Sequence, residues 1–570
     1  MSLHTPADLI SSSWDSSLAS AAGRRFVQLP TDVKRSSSVD YQPACPAAVR
    51  LPVARPPQPK ELLGCLATLL HRYSSQETIA FDLFDGIGGQ PSLFEIEIAE
   101  DNPFFAVADR AWPVPVMAVP QIDKPANIAV TLLVEPGADH IVAGPYDVHF
   151  ILVPAADSVS LTLGYNSALL HPATINQLIE SFGVLLAAAM EDPTRSIQRL
   201  PILSPQVSYA LSVLQDGGTA AYPQLPVHVL FSALACTQPD EPALSFNDRT
   251  MSYRELDERS NQLAHHLMAW GVGPDVPVAV CLHPCLEAVV SMLAIWKARG
   301  LYLPLDPTHP ETLIGRMLEE AKPKLVLTST GLAGLTADWP QLCLHRDAHL
   351  YNGLSRGAPA TEPSLTDSAY LLYTSGTTGK SKGVLATHRN LLQYILSAAQ
   401  KYGFTSRDRF ISLARYTFSI SLWELVSPLC CGGHLRLLDR KDVLSPDRLA
   451  RYLRDITVLH AGPSLLGGLF RHLRSLPREQ RGFPHMRHAS SGGDIVSPAI
   501  MEKMKRVFPN AELFVIYGCS EISCMGTTYP IDRDVLQSRT FVGKPFPNVT
   551  LRLLDAQRNP VPFGVVGEIC

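Results

Sequence analysis

From Val227 onward the chain alternates strand-like apolar runs with amphipathic helical ones, and this rhythm limits the fold more than any other feature. YRELDERSNQLAHHLMAWG (Tyr253 to Gly271) has helical spacing, VPVAVCL (Val276 to Leu282) reads as a strand, LEAVVSMLAIWKARG (Leu286 to Gly300) as a helix and KLVLTST (Lys324 to Thr330) as a strand again. SAYLLYTS (Ser368 to Ser375) is then a strand that enters a Gly-rich loop, with a helix starting at His388. Repetition of this kind implies an α/β architecture of mainly parallel sheets layered with helices. Ligands of such sheets collect beyond the carboxyl ends of the strands.

A chain of 570 residues exceeds what one core supports, so further domains are expected. Residues 1–60 carry Ser runs and the Pro-rich patch PVARPPQPK and read as a poorly ordered lead-in. Residues 61–200 read as a smaller mixed α/β domain. In it, ELLGCLATLLHRYSS and TINQLIESFGVLLAAAME have helical spacing, the latter capped by Thr174, and IAFDLF and VSLTLG have strand character. Residues 201–225, rich in Gly and Pro, read as a linker, and 226–570 as the main domain.

Charged residues make up 18% and the net charge is -5, so nothing marks nucleic acid as a partner. No apolar run approaches the length of a spanning helix, which argues against a membrane partner. The eleven cysteines are scattered without zinc-finger spacing and read as reduced, structural thiols of a cytoplasmic protein.

The loop itself, YTSGTTGKSKG (Tyr373 to Gly383), contains GKS, which invites a Walker reading. Counting back from Gly379-Lys380-Ser381 places Thr374 where that pattern requires its first Gly, so the pattern fails. What remains is Gly376, Gly379 and Gly383 among hydroxyls and two lysines. Glycine permits close backbone approach to phosphate, hydroxyls add donors and lysine adds charge. The other reading open at this point is a polar surface turn.

Companion motifs decide between them. YTSGTTGKSKGV resembles the phosphate-binding signature of the adenylate-forming (AMP-binding) superfamily, flanked in the expected order by MSYREL, WKARGLYLPLDPTHP, FSISLWE, SSGGD, YGCSE, VGKPFPN and LLDAQRNPVPFGVVGEIC. Spacing and wording are most similar to the adenylation domains of non-ribosomal peptide synthetases, over residues 226–570. The preceding segment resembles the later part of a condensation domain but lacks the HHxxxDG signature; His265-His266 sits in a helix of the main domain and reads as structural.

The resemblance implies ATP-dependent activation of a small carboxylic acid as its acyl-adenylate, with Mg²⁺, and handover to a carrier domain whose phosphopantetheine lies outside this sequence. It assigns Thr374, Ser375, Gly376, Thr377, Thr378, Gly379 and Lys382 to the phosphates of ATP. Tyr517, Gly492 and Gly493 go to the adenine, Ser520 to the α-phosphate and Glu521 to the metal, with Thr377, Thr378, Lys382 and Glu521 closest to the chemistry. Cys519 stands where Pro is usual, and Ser381 likewise.

The acid pocket is implied to comprise Ser419, Ile420, Trp423, His460, Ser490, Gly492, Ile516, Cys524 and Met525. His460 is either a substrate ligand or a satisfied core histidine. Ser419 occupies the position at which amino-acid-activating members carry an Asp that pairs with the substrate's α-ammonium. A hydroxyl does not balance a buried ammonium. The expected substrate therefore lacks a free α-amino group, as a keto, hydroxy or aryl acid does, or is an amino acid in an unusual register. Because the sequence ends at Cys570, before the family's later motifs and catalytic Lys, weak turnover by this piece is also expected, the alternative being a catalytically incompetent scaffold.

Overall fold

The computed structural model describes Val27, Leu29 and residues 42–44, 49–85, 92–99, 101–111, 127–132, 146–375 and 381–570. The chain divides into two compact units, Met1–Gln215 with Leu551–Cys570, and Asp216–Thr550.

In the first unit, the strands Thr78–Asp85, Ile128–Leu132 and Val148–Pro154 run parallel, and antiparallel neighbours extend them into a seven-stranded mixed sheet. The helices Pro59–Ser74 and Pro172–Glu191 contribute Leu62, Leu66, Leu69, Ile175 and Phe182 to a core with Phe81, Val130, Phe150 and Leu163 from the sheet. The second helix starts at Pro172, two residues before the expected Thr174 cap, because proline at the first helical position has no amide to satisfy. By length and composition alone this helix could cross a membrane, contrary to the sequence expectation. Its Ile175, Leu178, Phe182 and Leu185 are instead buried in the unit's core.

Three segments depart from the expected division. The short strands Pro43–Ala44 and Val49–Pro52, inside the expected lead-in, pair with Ser158–Asn166. The expected linker holds the helix Pro205–Gln215. Residues 551–570, expected with the main domain, bring Val561 and Val565 into the first unit's core, and Asp555 pairs with the buried Arg72 at 3.3 Å.

The second unit has two sheets. One runs in the order Gln341–Cys343, Leu325–Thr328, Pro277–Cys281, Leu301–Leu305, Ser368–Ser375, Ser381–Thr387, parallel throughout except for the last pair. The other has nine strands. Its parallel centre, Glu512–Tyr517, His488–Gly492, Val458–Ala461, Arg409–Ser412, His434–Leu437 and Pro242–Phe246, is closed at both ends by antiparallel strands.

The helices Tyr253–Ala269, Leu286–Lys297, His388–Tyr402 and Ser419–Cys431 fill the core of this unit. Ser252 caps the first of them by accepting from the Glu255 amide. Trp296 is fully buried and donates to the Ala369 carbonyl at 2.7 Å, tying the second helix to the strand that leads into the Gly-rich loop. His265 meets the Gly357 carbonyl at 3.0 Å from within the first helix, a purely structural setting.

Candidate active site

The Gly-rich segment lies between two paired strands. Ser368–Ser375 and Ser381–Thr387 pair antiparallel, with Thr374 opposite Lys382 and Ser375 opposite Ser381. A Walker loop opens a helix, whereas this one returns into a strand, in agreement with the mismatch at Thr374. Gly376, Thr377, Thr378 and Gly379 lie outside the described residues. Lys382 is exposed on the second of these strands.

The second cluster of expected residues is assembled by the nine-stranded sheet. Four neighbouring parallel strands end side by side, and the residues at or just beyond their carboxyl ends line one cavity of about 480 Å³. His460 comes from the first of these, Gly492 and Gly493 from the second and Ile516 with Ser520 from the third. The fourth leads through Leu413–Arg415 into the helix that begins at Ser419. Cys524 and Ile420 complete the expected part of the lining.

Trp423, Ser490 and Met525 are buried behind that lining, and Tyr517, Glu521, Thr374 and Lys382 lie outside it. Trp423 meets His460 edge to face at 5.9 Å.

Gly492 has no room for a side chain: a Cβ there would overlap the Ile516 carbonyl oxygen of the neighbouring strand. Gly493 sits at φ +77, the left-handed region that favours glycine.

Cys519 adopts φ -141, a value the proline ring does not permit, so the departure from the usual Pro accompanies a locally different backbone. The turn closes with Cys524 donating its amide to the Cys519 carbonyl at 2.9 Å and with Ser523 and Cys524 at φ 62 and 100. Two non-glycine residues in the left-handed region beside the cavity store strain of a kind found at binding sites.

Ser419 and Ser520 approach within 3.4 Å through their hydroxyls. His460 is buried and its Nδ1 lies 3.0 Å from the Ser490 hydroxyl, which itself lies 3.3 Å from the Leu459 carbonyl. Burial pushes the imidazole down to about 4, so it is neutral at neutral pH. The rotatable hydroxyl can donate to Nδ1 or to Leu459, so the neutral ring carries its one proton on either nitrogen and the other nitrogen accepts.

Three ionisable residues of the lining, buried or half-buried, were not among those expected. Glu424 is fully buried; its Oε2 accepts from the Leu413 and Ala414 amides at 2.8 and 3.0 Å and from the Ser412 hydroxyl at 3.2 Å. Burial outweighs these donors and pushes its carboxyl up to about 8. Its sequence signal was a single acid inside the otherwise apolar run SLWELVSPLCC. Arg415 pairs with Asp306 at 3.0 Å, and Arg440 donates to the Leu413 carbonyl at 3.3 Å. Neither guanidinium had a sequence signal, since only the tertiary fold brings them to the cavity.

Among the described residues no group of three or more His, Cys, Asp or Glu side chains could enclose a metal ion. Glu521 is an exposed lone carboxylate in the short helical turn Ser520–Ile522. Mg²⁺ retains waters and binds through one or two carboxylates plus substrate phosphates, so a lone carboxylate fits it.

Comparison with known proteins agrees with this geometry. The family profile described as AMP-binding enzyme matches residues 231–570. The linear gramicidin synthase of Brevibacillus parabrevis includes a polypeptide that is 30% identical over 529 residues, which cover 91% of this chain and 10% of that protein. The dimodular nonribosomal peptide synthase of Bacillus subtilis (strain 168) is 30% identical over 428 residues, 71% of this chain and 18% of that one. Thus the chain spans a small part of the length of the curated relatives it matches.

Among solved structures, the non-ribosomal peptide synthetase FmoA3 superposes with TM-score 0.78 at 21% identity, over 93% of this chain and 62% of that one. Its AMPPNP-bound form gives TM-score 0.77 at 21% identity, over 90% and 60%. The chain belongs to the AMP-binding enzyme family and is of the type found as adenylation domains in non-ribosomal peptide synthetases. Its fold is that of the solved synthetase structures.

Proposed function

We propose that the cavity binds ATP and a carboxylic acid together and joins them as an acyl-adenylate, the activating step of a non-ribosomal peptide synthetase. The observation that carries this reading is the convergence of Ser419, His460, Gly492, Gly493 and Ser520 in one cavity at the carboxyl ends of parallel strands.

An oxygen of the acid's carboxylate forms a bond to the α-phosphorus of ATP while the bond from that phosphorus to the bridging oxygen breaks, and pyrophosphate leaves. The nucleophile is the substrate itself, so the protein's task is positioning and charge stabilisation. Gly492 and Gly493 let the nucleotide approach the backbone, with Tyr517 against its adenine, and the Ser520 hydroxyl donates to the α-phosphate. Thr374, Ser375, Gly376, Thr377, Thr378, Gly379 and Lys382 cradle the leaving phosphates. Glu521 holds Mg²⁺, which when bound neutralises phosphate charge.

The neutral His460 offers the acid a hydrogen-bonding ring nitrogen without adding charge. Ser419 offers a hydroxyl where an ammonium would need a carboxylate, so the acid is a keto, hydroxy or aryl acid. The adenylate then passes to the phosphopantetheine of a carrier domain, in the same chain or another.

ATP–pyrophosphate exchange measured across a panel of acids tests the reading. Exchange driven by acids without an α-amino group is expected. Stronger exchange with ordinary amino acids would overturn the substrate class, and absence of both exchange and nucleotide binding would overturn the activity.

A further inference from the structure

The charges around the cavity do not balance. Arg440 is half-buried and lines both the main cavity and an adjoining one of about 170 Å³. Its Nε is buried with no hydrogen-bond partner, and its one recorded bond is the 3.3 Å donation to the Leu413 carbonyl. No carboxylate of the described residues forms an ion pair with it.

Its nearest charged neighbours offer little relief. Arg415 lines the same two cavities and repels it. Asp306, which attracts it, is already engaged by Arg415 at 3.0 Å and by the Thr308 hydroxyl at 2.6 Å. The acids that line the main cavity are Glu424, held protonated by burial, and Asp494, which is exposed and accepts from the Ile495 amide. Ser419 adds no charge. A partly desolvated guanidinium without a counter-ion is unfavourable unless a ligand supplies the anion.

We propose that Arg440 is a specificity residue that pairs with a second anionic group on the acid, so that the preferred substrates are dicarboxylic acids without an α-amino group. This rests on the adenylation reading above and narrows its substrate class. Arg440 presents a planar fork of donors, which suits a carboxylate held at two points. The excess positive charge also disfavours an ammonium in the same cavity, independently of Ser419.

The test uses ligands that differ only at one end. With the intact protein and AMPPNP present, calorimetric affinities are measured for 2-oxoglutarate, 2-oxopentanoate, glutamate and norvaline, and repeated with Arg440→Gln and Arg440→Lys. In the unaltered protein 2-oxoglutarate should bind roughly 10- to 100-fold more tightly than 2-oxopentanoate, the range of a charge-assisted pair. Glutamate should bind more weakly than 2-oxoglutarate. Arg440→Gln should bring the first ratio close to one, and Arg440→Lys should restore part of it.

A ratio near one in the unaltered protein, or one unchanged by Arg440→Gln, would overturn the proposal. Loss of AMPPNP affinity in Arg440→Gln with the ratio intact would also overturn it, because the anion met by Arg440 would then be a nucleotide phosphate. Selective 2-oxoglutarate binding without any AMPPNP binding would remove the adenylation reading and leave the anion site standing. If Arg440→Gln does not fold, the ratio in the unaltered protein still decides.

Discussion

Replacing Glu424 with Gln isolates the electrostatics of the cavity from its shape. Gln keeps an oxygen for the Leu413 and Ala414 amides and the Ser412 hydroxyl but carries no charge at any pH. In the folded protein burial raises the Glu424 carboxyl from 4.5 to about 8, so folding favours its protonated form. That contribution is fully present below pH 4.5 and is lost as pH rises through about 8, where the fold must accommodate a buried carboxylate. The interval corresponds to about 5 kcal/mol at most, accumulated at about 1.4 kcal/mol per pH unit.

Stability measured by urea denaturation between pH 5 and 8.5, as the difference between Glu424→Gln and the unaltered protein, removes the titration of every other group. The variant should gain on the unaltered protein steadily as pH rises. A flat difference would show that the three donors keep the carboxyl ionised throughout. A loss with rising pH would reverse the assigned direction.

Three further outcomes follow from the same geometry. Ser419→Asp should shift preference toward α-amino acids by about tenfold or more in ATP–pyrophosphate exchange, since it supplies the missing counter-charge; an unchanged preference refutes the role given to Ser419. Gly518→Ala would drive a Cβ into the Cys524 carbonyl, so nucleotide affinity should fall together with about 1–3 kcal/mol of stability, and normal affinity would show that the turn relaxes freely. Asp408, at the other end of the same sheet, accepts from Arg487, from the Thr405 amide at 2.8 Å and from the Thr457 hydroxyl at 2.8 Å. Burial alone would raise its carboxyl, but these partners hold it below 3.8. Asp408→Ala should cost about 2 kcal/mol or more, and its stability deficit should shrink as pH falls below 3.8, where the carboxylate's contribution is lost.

The parallel architecture was legible because Val278, Ala279, Val280 and Leu325, Val326, Leu327 are buried on both faces, which writes continuous apolar runs into the sequence. The return strand Ser381–Thr387 was not, because Lys382 and Leu385 are exposed on an edge strand and its composition resembles a loop. At the site, the strand-end residues His460, Gly492 and Ile516 could be placed by motif spacing, since register fixes which residues reach the carboxyl edge. Arg415 and Arg440 could not. They approach the cavity from separate loops, and neither local periodicity nor neighbouring residue types encode that meeting. Residues Leu551–Cys570, expected with the main domain, group with the first unit for the same reason: Val561 and Val565 find their core across a long sequence separation.

The most direct test of the central claim uses two non-hydrolysable acyl-sulfamoyl-adenosines, identical except that one carries an α-hydroxyl and the other an α-ammonium. Each would occupy the nucleotide and acid parts of the cavity at once. Calorimetry should show the hydroxyacyl compound bound more tightly and displaced by ATP. Tighter binding of the aminoacyl compound, or binding that ATP does not displace, would contradict the account.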